Sequence, residues 1–143
     1  VPGLETRMPI TFSEGVVKGR IDLQTFVAVT STNAARLFGL YPQKGTISVG
    51  ADADICIWDA DKDVTITQDI LHHDTDYTPF EGLQVTGWPF ITISRGKIVW
   101  ENGKVKCEAG WGKFLARDPY EYIQPRGVLP TPFDPVSLTA TSK

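Results

Sequence analysis

The residues best equipped for chemistry are His72-His73-Asp74-Thr75-Asp76, two imidazoles and two carboxylates within five positions. Such side chains serve as zinc ligands and as the acids and bases of hydrolysis. Their spacing works against a shared ion. Neighbouring residues of an extended chain point to opposite sides, whereas one zinc is usually gripped by histidines two apart on a strand or four apart on a helix. Serines and threonines are plentiful, but none lies in a Gly-x-Ser-x-Gly elbow, and neither Cys56 nor Cys107 has a histidine close in sequence to take its proton. Gly45 and Gly50 bracket four residues but lack the Lys-Ser/Thr that completes a phosphate loop. The expectation is a chain that supplies no catalytic residue and no metal ligand.

The elements that position these residues pivot on Lys44 to Asp63. Gly45 and Gly50 bracket Thr46 to Val49, which reads as a short strand between turns. Ala53, Ile55 and Ile57 then alternate with Asp54, Cys56 and Trp58 as a two-faced strand, stopped by Asp59 and Asp61. Upstream, Thr11-Phe12-Ser13-Glu14 matches a capping box, so a helix is expected from Phe12 and closed by Gly19. Asp22 caps a second helix with Leu23, Phe26, Val27 and Thr30 on one face, and Ser31 a third that ends at Gly39. Their apolar faces are narrow, so they need a partner: the strands that follow or, as favoured here, a larger helical layer. Downstream, Val64 to Thr67 reads as a strand, Thr67 to Ile70 as a helical turn and residues 71–82 as an ordered loop anchored by Tyr77 and Phe80. Strands follow at Leu83 to Thr86, Pro89 to Ser94, Lys97 to Glu101 and Lys104 to Cys107, the last two joined by the hairpin signal Asn102-Gly103. Pro89 should sit at the start or edge of its strand. From Asp118 the prolines forbid regular structure, while Tyr120, Tyr122, Ile123, Val128, Leu129 and Phe133 give an extended tail something to bury against a neighbouring subunit.

Composition narrows the class. A 143-residue chain with 41% hydrophobic residues can bury a core, and a net charge of -3 argues against nucleic acid or an anionic membrane as the main partner. No apolar run approaches the roughly 20 residues of a membrane span. Two cysteines without CxxC spacing read as buried, reduced thiols, which fits a soluble, cytoplasmic setting. The chain starts at Val1, and its one methionine, Met8, makes a poor start, so it is expected to be a C-terminal piece of something longer.

Gly45-Thr-Ile-Ser-Val-Gly-Ala-Asp-Ala-Asp-Ile-Cys-Ile-Trp-Asp59 resembles the block with which amidohydrolase-superfamily chains leave a metal-bearing barrel and enter a small β-sandwich domain. Pro2-Gly-Leu-Glu-Thr-Arg-Met8, the run from Phe26 to Phe38, Tyr41-Pro-Gln-Lys-Gly45, Phe80-Glu-Gly82 and Ser94-Arg-Gly-Lys-Ile98 narrow the resemblance to dihydropyrimidinases and D-hydantoinases, as far as about Arg117. The resemblance implies an α/β fold: residues 1–43 as the last loop and helices of a TIM barrel, 44–117 as part of a β-sandwich with a surface loop at 71–82, and 118–143 as a tail contacting another subunit of a homotetramer or dimer. It implies hydrolysis of dihydropyrimidines and hydantoins to N-carbamoyl amino acids with two zinc ions, whose ligands lie upstream of Val1. Pro2 and Gly3 are then the residues that border the substrate, as backbone of a βα loop. Non-catalytic relatives acting in assembly, and an allantoinase or dihydroorotase, are the alternatives. The Pro2 to Arg7 and Phe38 to Tyr41 stretches look more like the bacterial hydantoinases.

Overall fold

The computed structural model describes residues 2–117 and, beyond them, the strands Phe133–Asp134 and Thr139–Ala140. Helix α1 (Leu4–Thr11) starts well before the expected cap and runs into a π-helical turn, Phe12–Val17. Thr11 is in the helix interior, and its hydroxyl donates to the Arg7 carbonyl at 2.7 Å instead of capping anything. Pro9 lies inside α1 and has no N–H for the carbonyl four residues back; the wider π spacing follows it. Gly19 closes the stretch as the sequence predicts. With φ at 65° it lets the Arg20 N–H reach the Gly15 carbonyl at 2.8 Å while its own N–H bonds Val16 at 2.9 Å.

Asp22 caps α2 (Leu23–Val27) as expected, its carboxylate accepting the Thr25 N–H at 2.7 Å, a bond that holds the Asp22 pKa below the ordinary value. The break expected at Ser31 is absent. From Val27 the chain continues through a π stretch, Ala28–Thr32, into α3 (Asn33–Leu37), with Val27, Thr32 and Asn33 all helical. The local hydroxyls are engaged elsewhere: Thr30 donates to the Phe26 carbonyl and Thr32 to the Gly45 carbonyl, both at 2.7 Å. Two helical stretches therefore stand where three were expected, the second ending at Gly39 with the Leu40 N–H on the Ala35 carbonyl at 2.8 Å.

Four strands form an antiparallel meander in the order β1 (Ile55–Thr65), β2 (Gln84–Ser94), β3 (Lys97–Glu101), β4 (Lys104–Val105). β3 has the expected bounds, and its turn to β4 uses Asn102 and Gly103 at φ 51° and 76°, the hairpin geometry that the pair favours. Thr46 to Val49 is not a strand, because among the described residues none pairs with it: Ile47 and Val49 are exposed, and the Ala51 N–H closes a turn on Ser48. Nor do Asp59 and Asp61 stop β1. The strand bulges there, with Asp59 opposite Trp88 and Asp63 opposite Thr86, then resumes because the Thr86 hydroxyl donates to Asp63 at 2.7 Å and Val64 pairs Val85. Pro89 lies in the middle of the central strand rather than at an edge, beside a second bulge where Trp58 pairs Pro89 and Phe90 is left over. β3 pairing begins only at Ile91, so the missing N–H has no carbonyl to leave unpaired on that side. Strands β5 (Phe133–Asp134) and β6 (Thr139–Ala140) pair with each other, against the expectation of a tail without ladders. Tyr120, Tyr122, Ile123, Val128 and Leu129 lie outside the described residues.

The first helical stretch lies on the sheet, so its partner is the strands. Phe12 stacks on Trp58 with centroids 5.2 Å apart and meets Phe26 edge-on at 5.5 Å, while Ile66, Leu71, Val85 and Trp88 form the adjoining core with Ile10 and Phe80 against them. Phe26 is 5% exposed, whereas Leu23, Val27 and Phe38 on the outer helical face are about half exposed or more. Cys56 and Cys107 are free and exposed rather than buried, and Ile57 and Ile98 on the sheet are exposed as well.

Gly87 is the position where space decides. Its φ is 96°, and a Cβ would stand 2.5 Å from Cε1 of Phe12 and closer still to Cδ1. Gly87→Ala should therefore cost about 2–4 kcal/mol by urea unfolding, from overpacking and a strained backbone together. Gly103→Ala, with positive φ but open space, should cost only about 1 kcal/mol. Equal losses at the two positions would show that the Phe12 contact carries no special weight.

Candidate functional site

Pro2 and Gly3 precede α1, both partly exposed. Gly3 is the helix cap, with φ at -179° and ψ at -4°, and its carbonyl accepts the Arg7 N–H at 3.1 Å and the Thr6 hydroxyl at 3.4 Å. Having no side chain, it caps with backbone alone. Glu5 follows in the first turn, where the positive end of the helix favours its charge. Both of its oxygens are taken by a residue far along the chain. The backbone N–H of His72 donates to Oε2 at 2.8 Å, and the His72 ring meets Oε1 through Nδ1 at 2.8 Å. Phe80 of the same loop lies 4.0 Å from where a Cβ on Gly3 would be. Loop 71–82 thus straddles the first turn of α1.

The neighbours of His72 set its protonation. The Glu5 carboxylate beside the ring, aided by the Gly103 carbonyl, raises its pKa above the ordinary histidine value despite partial burial. His73 faces elsewhere: its Nδ1 is 2.5 Å from the Thr75 hydroxyl, which itself donates to the Tyr77 carbonyl at 3.3 Å. That hydroxyl then accepts from the ring, so Nδ1 of His73 carries the proton, and its buried Nε2 has no partner among the described residues. Asp74 and Asp76 are exposed. The two histidines that looked like a pair in the sequence therefore serve different elements.

Beside the Glu5–His72 pair opens a cleft of about 530 Å³, walled by Trp88, Pro89 and Trp100 with Asp59 and Lys62 at its rim. Its size and indole walls suit a small polar ring, but its carboxylates and imidazole are arranged for holding. Among the described residues no nucleophile lies next to a base there. Among the described residues no three His, Cys, Asp or Glu side chains converge as a metal site, and no helix is long and apolar enough to cross a membrane. The Gly50-Ala-Asp-Ala-Asp54 block has a structural part: Lys44 bridges Asp52 at 2.8 Å and also Asp54, whose other oxygen accepts the Arg95 N–H at 2.7 Å. Lys44 lowers the Asp52 pKa through that bond. This ties the end of the helices to the turn between β2 and β3. Sequence reading missed Glu5, since its partner is 67 residues away and no local pattern connects them.

Three kinds of comparison bear on this arrangement. The model of the amidohydrolase family matches residues 3–99. Dihydropyrimidinase 2 of Caenorhabditis elegans is 53% identical over 123 residues, covering 86% of this chain and 24% of that protein, and dihydropyrimidinase of Rattus norvegicus is 48% identical over 127 residues, covering 88% and 24%. Among solved structures, the D-hydantoinase (dihydropyrimidinase) from a Thermus species superposes with a TM-score of 0.81 at 42% identity, covering 84% of this chain and 26% of that one. The chain thus spans about a quarter of the length of these relatives.

Because His72 and His73 each engage a separate partner through Nδ1, the 143-residue chain should not bind zinc tightly in a calorimetric titration. Stoichiometric zinc at sub-micromolar affinity, abolished by His72→Ala together with His73→Ala, would show that the pair can turn to one ion.

Proposed function

Since the chain belongs to the amidohydrolase family, we propose that the whole protein is a cyclic amidohydrolase that opens dihydropyrimidine and hydantoin rings to N-carbamoyl amino acids. The observation that carries this reading is the sequence match to dihydropyrimidinases over most of the described chain, joined to the matching backbone of D-hydantoinases. The reaction class needs a polarised amide carbonyl and an activated water, which a pair of zinc ions would supply. Among the described residues no such ligand set converges; in this reading the metal ligands and the catalytic groups lie upstream of Val1, and the chain alone is expected to be inactive. Its own contribution is shape. In this reading residues 1–43 close the catalytic TIM barrel, 44–117 form part of a β-sandwich beside it, and Pro2 and Gly3 border the substrate as loop backbone. The outward Leu23, Val27, Leu37 and Phe38 support that placement, because a helical face so apolar calls for cover.

The test is direct. The whole protein, loaded with zinc, should release N-carbamoyl-β-alanine from dihydrouracil and the matching carbamoyl acid from hydantoin, with about two zinc ions per subunit by elemental analysis. Failure to open either ring when fully metallated would overturn the reading.

The tail from Asp118 to Lys143 is proposed as a subunit contact in a cytoplasmic homo-oligomer, since its aromatic and aliphatic residues need a surface and its prolines limit what it can build alone. Removing it from the whole protein should lower the mass seen by light scattering to a smaller oligomer, with zinc content per subunit unchanged. An assembly that survives truncation at every concentration would end this assignment.

A further inference from the structure

We propose that Glu5 and His72 form a clasp that positions the Pro2–Gly3 backbone, closed while the imidazole of His72 carries a second proton. The inference rests on the reading that Pro2 and Gly3 border the substrate. It starts from geometry. Both oxygens of Glu5 are held by one residue, through the backbone N–H and Nδ1 of His72, each at 2.8 Å. Glu5 is two residues from Gly3, inside the turn that Gly3 caps, so fixing its carboxylate fixes the direction in which the preceding backbone leaves the helix. Phe80 closes the other side of Gly3 from the same loop. The loop thus grips the first turn at two points, one apolar and constant, the other polar and titratable.

Charge decides when the polar grip holds. The ring's hydrogen-bond partner is the Glu5 carboxylate, an acceptor whose negative charge favours the imidazolium over the neutral ring. A charge-assisted bond is also roughly twice as strong as a neutral one. The other groups around the cleft are Asp59, Asp63 and Lys62 from β1 and the uncharged Asn102, Trp88, Pro89 and Trp100 from β2, β3 and the hairpin turn. On the loop itself Asp74 is the nearest acid in sequence, with Asp69 just before it. Of these groups it is Glu5 that sets the charge of the ring. The sign follows: with the folded pKa above the unfolded value of about 6.5, the clasp contributes fully below that value and is lost as pH rises through the folded pKa.

The experiment uses the whole protein with zinc bound and compares wild type with His72→Ala, His72→Arg, His72→Gln and Glu5→Gln from about pH 6 to about pH 9. Two quantities are read, steady-state hydrolysis of dihydrouracil and the thermal midpoint. In wild type KM should rise about threefold to tenfold across the alkaline part of the range while kcat changes by less than about twofold. His72→Ala, His72→Gln and Glu5→Gln should show the raised KM at every pH, and His72→Arg, whose cation does not titrate, should keep the low KM and a flat profile. A wild-type KM profile retained in His72→Ala would overturn the clasp. So would a loss of stability in the variants that is the same at all pH and leaves KM unmoved, since that is a purely structural contact. If the whole protein opens neither ring, the functional reading has failed on its own terms. The midpoint still decides the clasp: it should fall with pH more steeply in wild type than in His72→Ala, and equal slopes would sink it.

Discussion

The contact on which the rest of the structure depends is the ring of Phe12 lying over the bare backbone of Gly87. Without a Cβ at 87 the ring reaches the sheet itself, stacks on Trp58 and presents its edge to Phe26, so three aromatics from the helical part and the sheet meet at one point. Each such ring buries enough apolar area to be worth about 2–3 kcal/mol, and aromatic pairing adds to it. The β1 bulge between Asp59 and Asp63 falls opposite Gly87, which bends the strand around the place where the ring enters. Ser13, next to Phe12, accepts the Thr86 N–H at 3.0 Å and adds a polar bond beside the apolar one. With Phe12 seated, α1 lies against β2, and Glu5 stands at the cleft where His72 meets it.

That anchoring leaves much of the molecule without cover. Among the described residues the buried hydrophobics are few: Phe12, Phe26, Ala35, Ile66, Leu71, Val85 and Trp88. All are accounted for by the aromatic trio, the sheet end near Ile66 and the alanine under Gly45. The other end of the sheet, around Ile57, Phe90 and Ile98, is partly open, as is the outer helical face. Polar staples hold where packing does not. Lys44 binds the block at Asp52 and Asp54, and Arg95 lies 4.4 Å from the centroid of Trp111 with Lys97 at 5.1 Å, securing the segment after β4 to the β2–β3 turn. Surface pairs of this kind are individually weak. They fix direction more than they supply stability.

What the sequence made legible was mostly local and mostly backbone. Asp22 as a cap, Gly19 and Gly39 as helix ends, the bounds of β3 and the Asn102-Gly103 turn all follow from one residue's own preference, acting within four positions. The errors share a cause. Thr11, Ser31, Asp59 and Asp61 were each read as punctuation, and each has the propensity for it, but in every case a longer element overrode the signal because its flanks were already fixed by packing. Pro89 misled for the converse reason: it is tolerated in a central strand because β3 does not reach that far. The candidate site was half visible. Pro2 and Gly3 came from resemblance, and the histidines from their chemistry, but Glu5 could be found only once the fold had brought it across 67 positions.

The two histidines show how adjacent residues of one type can serve separate elements. Adjacent on an extended segment, they must diverge, and the structure gives each its own consequence. His73 turns into its loop and spends its donor on Thr75, which helps the segment from Gln68 to Tyr77 keep its shape: the Gln68 amide also donates to the Thr75 carbonyl at 2.5 Å and its backbone N–H to Glu81 at 2.8 Å. His72 turns outward to Glu5. One ring stiffens the loop and the other delivers it to the helix, and neither could do the other's work, since a loop that was stiff but unattached would leave the first turn of α1 held only by Phe80. The pair of imidazoles thus divides into an internal brace and an external latch, and the carboxylate it latches lies two residues from Gly3, whose backbone is proposed here to border the substrate.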